Sequence, residues 1–287
     1  GKTSILGSVM LEVIPSIRML TVEDTLELPV DSLRKLGYNI QRMKVRSALL
    51  ETTTEVEASE GIRASLRLGD SALIVGEVRS SEAKALYEAM RVGALANLVA
   101  GTIHGASPYG VFDRVVNDLG VPVTSFKATD IVVVANPIRT PDGMHYKKRV
   151  TQLTEVRKHW TKDPEEEKGF VDLIKYNVEK DELEPTEDLM NGDSEIIKAI
   201  AGSVKGWAGN WDAVWDNILL RAKIKQEIVD VSRKLQMPYI MEAKFNALSN
   251  DMFHRVSEKI THEVGLPVSE RVFPEWRSWL MNNVRKI

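Results

Sequence analysis

Short runs of apolar residues alternate with stretches of helical spacing over the first half of the chain. The apolar runs, typical of strands buried on both faces, are residues 18–22, 71–75, 97–103 and 130–135. The stretches with helical spacing are residues 3–14, 62–68, 81–92 (with Ser81 as a cap) and 109–119. This alternation predicts an α/β fold with a doubly wound, mostly parallel sheet.

The pattern changes after Pro137. Residues 145–160 alternate enough to form part of a strand pair whose turn is the TPDG segment at 140–143. From residue 182 onward the spacing is helical, and the longest helix is expected over 211–235, ending before Pro238. The sequence therefore predicts two domains: the sheet in residues 1–140, and a strand pair with a helical carboxyl-terminal region in residues 141–287.

Composition narrows the possible classes of protein. The net charge of −3 and the pI of about 6.1 disfavour a nucleic-acid binder, which would carry clustered Lys and Arg. The chain has no cysteine, which excludes disulfides and thiolate zinc sites and fits a reducing cytosol. No apolar run approaches the roughly 20 residues that span a bilayer, so a membrane would be met through a partner or at its surface.

The first candidate for chemistry is the tetrapeptide Gly1-Lys2-Thr3-Ser4. It matches the end of the pattern GxxxxGK[ST], in which backbone amides hold phosphates, Lys reaches the outer phosphates and the hydroxyl binds Mg²⁺. A short match of this kind also occurs by chance. Its weight comes from the helix expected directly after it and from the polar residues that follow later strands.

Carboxylates follow two of the predicted strands. Glu23 and Asp24 come after RMLTV, and Glu77 comes after SALIV and is followed two residues later by Arg79. Ligands of doubly wound sheets bind at the carboxyl ends of the strands, where such acids can hold a metal ion or orient water. The plain alternatives are a charged turn at Glu23 and a capping acid with an ion pair at Glu77.

His104 ends the next apolar run, in the segment GTIHG. A histidine at a strand end is most often a hydrogen-bonded structural residue. One that follows an acid-ended strand can also contact a terminal phosphate.

Taken in order, these segments resemble the secretion ATPase superfamily of type II secretion, type IV pilus assembly, conjugation-type secretion and the archaellum motor. The matching text is GKTS (Walker A tail), VEDTLEL (acid box), RLGDSALIVGEVRSSEA (Walker B region) and AGTIHG (His box). The segments LRLGDSALIVGEVR and DRVVNDLGVP are most similar to archaeal members. The resemblance covers residues 1 to about 140 and implies that the sheet is RecA-like.

The resemblance also implies a role for the first matching positions. Lys2 would bind the β- and γ-phosphates of ATP and Thr3 would ligate Mg²⁺. Gly1 and Ser4 would complete the nucleotide-binding segment. The chain begins at the last glycine of the phosphate loop, and the resemblance therefore implies that the isolated chain is truncated there and hydrolyses ATP weakly or not at all.

The later motifs would supply the catalytic residues. Glu77 would be the Walker B acid, acting on Mg²⁺ and the attacking water, and Glu23 would be a second candidate for orienting that water. His104 would sense the γ-phosphate. Supporting ion pairs or subunit contacts would come from Asp24, Arg79 and Arg67.

The resemblance implies a homohexameric Mg²⁺-dependent ATP hydrolase on the cytoplasmic face of the cell membrane. It would act on an integral-membrane platform protein to assemble pilin-like subunits or export proteins. The absence of the four-cysteine zinc site found in many bacterial members favours an archaeal or conjugation-type relative. Two alternatives stay open: a nucleic-acid translocase on the same fold, and a non-catalytic assembly module.

Overall fold

A computed structural model of the chain describes residues 1–46, 56–65, 67, 72–80, 82–92 and 98–284. The chain divides into two compact units, Gly1–Asp193 and Ser194–Ile287. This division falls later than the domain boundary predicted after residue 140. The first unit includes the second sheet because Val132, Val134, Val156 and Trp160 belong to the same hydrophobic core as the first sheet.

The first sheet has four parallel strands: β1 (Met19–Glu23), β2 (Ile40–Lys44), β3 (Ala72–Val75) and β4 (Leu98–Gly101). Their order is β2-β1-β3-β4, so β2 lies on one side of β1 and the later strands β3 and β4 lie on the other. All residues of β1 and β3 are buried, as their apolar runs predict. The sequence prediction of a doubly wound parallel sheet is confirmed. Its topological switch point lies between β1 and β3.

Helices connect and flank these strands. They are α1 (Lys2–Met10), α2 (Val30–Lys35), α3 (Ala58–Ser65), α4 (Glu82–Val92), α5 (Pro108–Asp113) and α6 (Val123–Phe126). A π-helical turn, Arg114–Asp118, continues α5 where the sequence predicted one α-helix to residue 119. Helix α3 contributes the fully buried Ile62 to the core, and α4 contributes Ala85 and Leu86. The cap predicted at Ser81 lies outside the described residues.

The second sheet is an antiparallel meander of β5 (Ile131–Arg139), β6 (Tyr146–Val156), β7 (Phe170–Asn177) and β8 (Glu182–Pro185). The prediction that residues 130–135 belong to the parallel sheet was therefore wrong. Val132 and Val134 are buried while Ile131 and Val133 are exposed, the one-sided pattern of an antiparallel strand. The turn predicted at 140–143 is present: the N–H of Thr140 donates to the carbonyl of His145 at 2.9 Å.

The strand β8 replaces the first part of the helical pattern expected from residue 182. Helix α7 (Glu187–Met190) follows it, still within the first unit. Thr186 caps α7 by accepting a hydrogen bond from the N–H of Leu189 at 3.4 Å.

The second unit is helical, as predicted: α8 (Glu195–Gly202), α9 (Trp211–Leu235), a 3₁₀ turn (Pro238–Met241), α10 (Ala243–Val264) and α11 (Ser269–Asn283). The bounds of α9 confirm the prediction, since Asn210 caps its start and Gln236, in the left-handed conformation, ends it before Pro238. Its core is separate and includes Ile224, Ile260 and Trp276. Within the described residues, every helix is too short or too polar to cross a bilayer.

Candidate nucleotide-binding site

The candidate site lies at the carboxyl ends of β1, β3 and β4, next to the amino end of α1. Gly76 follows β3, and its N–H donates to the carbonyl of Val22 on β1 at 2.9 Å. The hydroxyl of Thr102, after β4, donates to the carbonyl of Gly76 at 2.6 Å. These bonds fix the segment that carries Glu77 between the two neighbouring strands.

Glu23, the last residue of β1, is a buried anchor of the acid box. Its side chain is 0% exposed, and Oε1 accepts hydrogen bonds from the backbone N–H groups of Glu27 (2.9 Å) and Leu28 (2.8 Å). Oε2 lies 4.0 Å from Nε of Arg42. A Cβ on Gly76 would lie 3.0 Å from Cγ of Glu23, so the glycine provides the space for this carboxylate. The sequence predicted Glu23 as a catalytic candidate, and the structure places it where it holds the loop after β1.

Glu77 is the more accessible acid, with its side chain 19% exposed. Its Oε1 lies 2.9 Å from Nε2 of His104, and its Oε2 accepts a short hydrogen bond from the guanidinium of Arg79. Burial raises the pKa of Glu77, but the hydrogen bond and charge of Arg79 and the charges of His104 and Lys2 together lower that pKa below its ordinary value. Glu77 is therefore ionised at neutral pH.

The other ring nitrogen of His104 connects Glu77 to the first turn of α1. Nζ of Lys2 lies 3.2 Å from Nδ1 of His104. Because the ammonium can only donate, this contact is a hydrogen bond when Nδ1 is the acceptor, and Nε2 is then the ring nitrogen that donates toward Glu77. A continuous polar chain thus runs from Lys2 through His104 and Glu77 to Arg79.

Thr3 contacts a carboxylate that the sequence analysis did not single out. Its hydroxyl donates to Oε2 of Glu27 at 3.0 Å, and Glu27 is exposed. The loop between β1 and α2 that carries Glu27 is held by Glu23, which accepts from the Glu27 N–H. The second glutamate of the VEDTLEL segment, Glu27, is thus the residue that reaches the hydroxyl proposed to bind Mg²⁺. The signal that could have found it is the four-residue spacing from Glu23.

Glu82 is a second residue that sequence reasoning missed. It is buried at the start of α4 and accepts hydrogen bonds from the N–H of Ser80 (2.9 Å), the hydroxyl of Ser80 (2.7 Å) and the N–H of Arg79. Burial raises the pKa of Glu82, but these hydrogen bonds outweigh burial and lower the pKa. The carboxylate thereby fixes the loop that presents Arg79. Arg79 also lies 3.5 Å from Asp24, which was predicted as a supporting residue.

The remaining predicted residues lie farther from this chain of contacts. Ser4 is exposed in the first turn of α1, and its carbonyl accepts from the hydroxyl of Ser8 at 2.9 Å. Arg67 is exposed just after α3, with its N–H bonded to the carbonyl of Ala64. Among the described residues, no ion pair joins Arg67 to Glu23, Asp24 or Glu77.

The donors at this site fit a nucleotide with Mg²⁺. Gly1 caps α1 without a side-chain hydrogen bond, and the amides at the start of this nine-residue helix favour an anion. Mg²⁺ binds oxygen ligands and usually keeps several waters beside one or two carboxylates and the substrate phosphates. The hydroxyl of Thr3 and the carboxylate of Glu27, which are in contact at 3.0 Å, are ligands of this kind, and Glu77 would supply a further carboxylate. Within the part of the chain that the structure describes, no group of three or more His, Asp or Glu is arranged to hold a metal ion alone.

Comparison with known families decides the class of the chain. The profile of the type II/IV secretion system protein family matches residues 1–167, which include all the residues named at this site. The chain belongs to the type II/IV secretion system protein family.

Several relatives of this secretion family are similar to the chain. An uncharacterised Methanocaldococcus jannaschii protein is 28% identical over 202 residues, covering 70% of this chain and 68% of that protein. A Mycobacterium tuberculosis protein, provisionally named as a conjugal transfer protein, is 32% identical over 108 residues, covering 38% of this chain and 29% of that protein. The solved VirB11 ATPase of the Brucella suis type IV secretion system, crystallised with sulphate, is 20% identical. The structural match covers 52% of this chain and 44% of the VirB11 chain, with a TM-score of 0.40.

Proposed function

We propose that the chain is the ATP-hydrolysing part of a secretion or pilus-assembly motor, with its active site at the carboxyl ends of β1, β3 and β4. One observation carries the proposal: Glu77 is held between Arg79 and His104, and His104 in turn contacts Lys2 of the GKT segment. Membership in the type II/IV secretion system protein family supports the same conclusion.

Each residue has a distinct task in this proposal. The ammonium of Lys2 and the amides at the start of α1 bind the outer phosphates, and the hydroxyl of Thr3 ligates the metal ion. Bound Mg²⁺ would neutralise charge on the phosphate oxygens. Glu77 accepts a hydrogen bond from the attacking water and orients it in line with the terminal phosphate. Because its pKa is lowered, Glu77 is better suited to orienting water than to removing a proton early in the reaction.

The two glutamates of the acid box, Glu23 and Glu27, have different roles in this proposal. Glu23 is a positioning residue, since both backbone N–H groups that it binds belong to the loop carrying Glu27. Glu27 faces Thr3 and is the acid-box carboxylate that helps to hold the metal ion. This assignment replaces Glu23 with Glu27 as the second functional acid.

At the level of the assembly, we propose a homohexamer that acts on an integral-membrane platform protein at the cytoplasmic face of the membrane. Loss of the terminal phosphate would remove a partner from Lys2 and His104, and such a local change is what subunit interfaces of motor proteins convert into movement. The full-length protein with Mg²⁺ and ATP should then have six times the protomer mass in light scattering.

The deciding experiment is steady-state Mg²⁺-ATPase activity of the full-length protein that contains this chain, wild type against Glu77→Gln. The variant should lose roughly two or more orders of magnitude in kcat while still binding ATP, as expected for a lost catalytic acid. Glu88→Gln, a change at an exposed carboxylate on α4, is the control and should leave activity unchanged. Full activity of Glu77→Gln would show that Glu77 is structural and would remove the basis of the proposal.

A further inference from the structure

The hairpin of β5 and β6 reaches the candidate site from the second sheet. Nδ2 of Asn136, on β5, donates to the carbonyl of Ala106 at 3.1 Å, two residues beyond His104. The next pair along the hairpin is Pro137 with Lys148. The hairpin is thus tied to the loop that carries His104, one register position from Lys148.

Lys148 extends its side chain alongside the last glycine of the phosphate-binding segment. A Cβ built on Gly1 would lie 3.6 Å from Cδ of Lys148. The ammonium is two bonds beyond Cδ, so it lies within reach of groups bound at the amino end of α1. Lys148 is exposed, and among the described residues it has no carboxylate partner.

The neighbouring cations on β6 are directed elsewhere. Arg149 forms a two-pronged ion pair with Asp181, at 2.7 Å and 2.8 Å. Lys147 contributes its charge to the same carboxylate, whose pKa is lowered chiefly by the hydrogen bond from Arg149. Because side chains alternate along a strand, Lys148 points to the opposite face from Lys147 and Arg149. Among the described residues of the hairpin, Lys148 is thus a cation that lies beside Gly1 and has no carboxylate partner.

We propose that Lys148 is a further nucleotide-binding residue, which contacts the α- and β-phosphates of the bound nucleotide. The inference rests on the proposed function of the site. Lys2 is directed toward His104 and Glu77, where the terminal phosphate would react. Lys148 extends from the second sheet beside Gly1 and contacts the inner phosphates, α and β. A lysine is suited to this role as a compact, mobile point charge.

The test is equilibrium binding of N-methylanthraniloyl-ADP and N-methylanthraniloyl-ATP, with Mg²⁺, to the full-length protein. Lys148→Ala should raise the Kd of both nucleotides about tenfold, the effect of losing one charge-assisted contact. Lys148→Arg, which keeps the charge, should restore most of the affinity. The gap between wild type and Lys148→Ala should narrow at high salt, because the ammonium is exposed to screening.

Two further variants separate the failure of this inference from the failure of the proposed function. Lys147→Ala, one position away on the opposite face of β6, should bind like the wild type. Lys2→Ala should lose affinity for both nucleotides. If Lys2→Ala binds both nucleotides weakly while Lys148→Ala binds them as tightly as Lys147→Ala does, the role of Lys148 is refuted and the nucleotide site stands. If Lys2→Ala binds like the wild type, the nucleotide site itself is wrong. A loss in Lys148→Ala confined to the ATP analogue would overturn the assignment to the inner phosphates.

Discussion

At the scale of single residues, burial separates two glutamates that the sequence analysis treated as rivals. Glu23 has a side chain with no exposed surface and accepts hydrogen bonds from two backbone N–H groups of the loop that follows it. Glu77 is partly exposed and bonds to Arg79 and His104. A carboxylate that accepts from two backbone amides cannot turn toward a substrate without leaving those amides unpaired, and this would cost free energy.

Removal of Glu23 should therefore reduce stability more than removal of Glu77. Glu23→Ala leaves the N–H groups of Glu27 and Leu28 without an acceptor and should lower the free energy of unfolding by about 1–3 kcal/mol. Glu77→Ala breaks partly exposed ion pairs and should lower it by less than about 1 kcal/mol. Chemical denaturation followed by circular dichroism measures both. Equal effects, or a larger one at Glu77, would contradict the anchoring role of Glu23.

The lowered pKa of Glu77 also predicts how its contribution to stability depends on pH. A carboxyl with a pKa lower in the folded than in the unfolded chain stabilises the fold above the ordinary value of 4.5. This contribution is lost as the pH falls through the lower, folded-state pKa. The difference in unfolding free energy between wild type and Glu77→Gln should thus be largest above pH 4.5 and shrink below it. A difference that stays constant across that range would mean that Arg79 and His104 do not favour the ionised form.

At the scale of elements, the strand order brings residues distant in sequence to one sheet edge. β1 and β3 are adjacent although α2, β2 and α3 lie between them in the chain. Just after β3, Gly76 lies against Glu23 of β1, and Cγ of Glu23 is 3.0 Å from the position where a side chain on residue 76 would begin.

Gly76→Ala should therefore disturb the site as well as the fold. The added Cβ would meet Cγ of Glu23 at 3.0 Å, and the hydrogen bonds of Glu23 oppose its displacement. Overpacking of this kind costs about 1–3 kcal/mol. We expect a matching fall in unfolding free energy and weaker nucleotide binding. Gly202→Ala is the control, since nothing lies within 4 Å of its Cβ and its backbone is helical. If Gly76→Ala behaves like Gly202→Ala, the contact at the switch point is not tight.

The same elements show how far the sequence alone could lead. Three of the four parallel strands, β1, β3 and β4, and helix α9 followed from hydrophobic spacing, whereas β2 was not predicted. The placement of Glu77 and His104 at strand ends followed from the apolar runs that come before them. The continuous apolar run of β5 was misassigned, because a run of this kind does not reveal that one of its faces is exposed. Glu27, Glu82 and Lys148 were missed because their positions depend on loop and hairpin contacts. Their catalytic or binding roles, like those of the predicted residues, remain predictions.

At the scale of the whole molecule, the chain contains two units with separate cores. The core of the second unit is formed by α9, α10 and α11 and includes Trp276, which is fully buried. The core of the first unit draws on both sheets and on Trp160. Separate cores are the condition for separate folding.

The fragment of residues 194–287 should therefore fold without the rest of the chain. We expect a helical circular dichroism spectrum and a cooperative thermal transition. Trp276→Ala should abolish that transition, because removal of a buried aromatic side chain costs about 3–5 kcal/mol, comparable to the whole stability of a small domain. Met281→Ala, at a 45% exposed position on the same helix, should retain it. A fragment that melts without cooperativity would show that the second unit depends on the first.

The contact between Lys2 and His104 has a consequence for the thermodynamics of ligand binding. The ammonium that is proposed to bind phosphate already has an internal partner, and that partner is itself bonded to Glu77. Binding is therefore an exchange of partners, and the affinity reflects the difference between the new contacts and those given up. The same internal contacts restrain Lys2, His104 and Glu77 before any ligand binds, so less side-chain conformational entropy would be lost on binding a phosphate group.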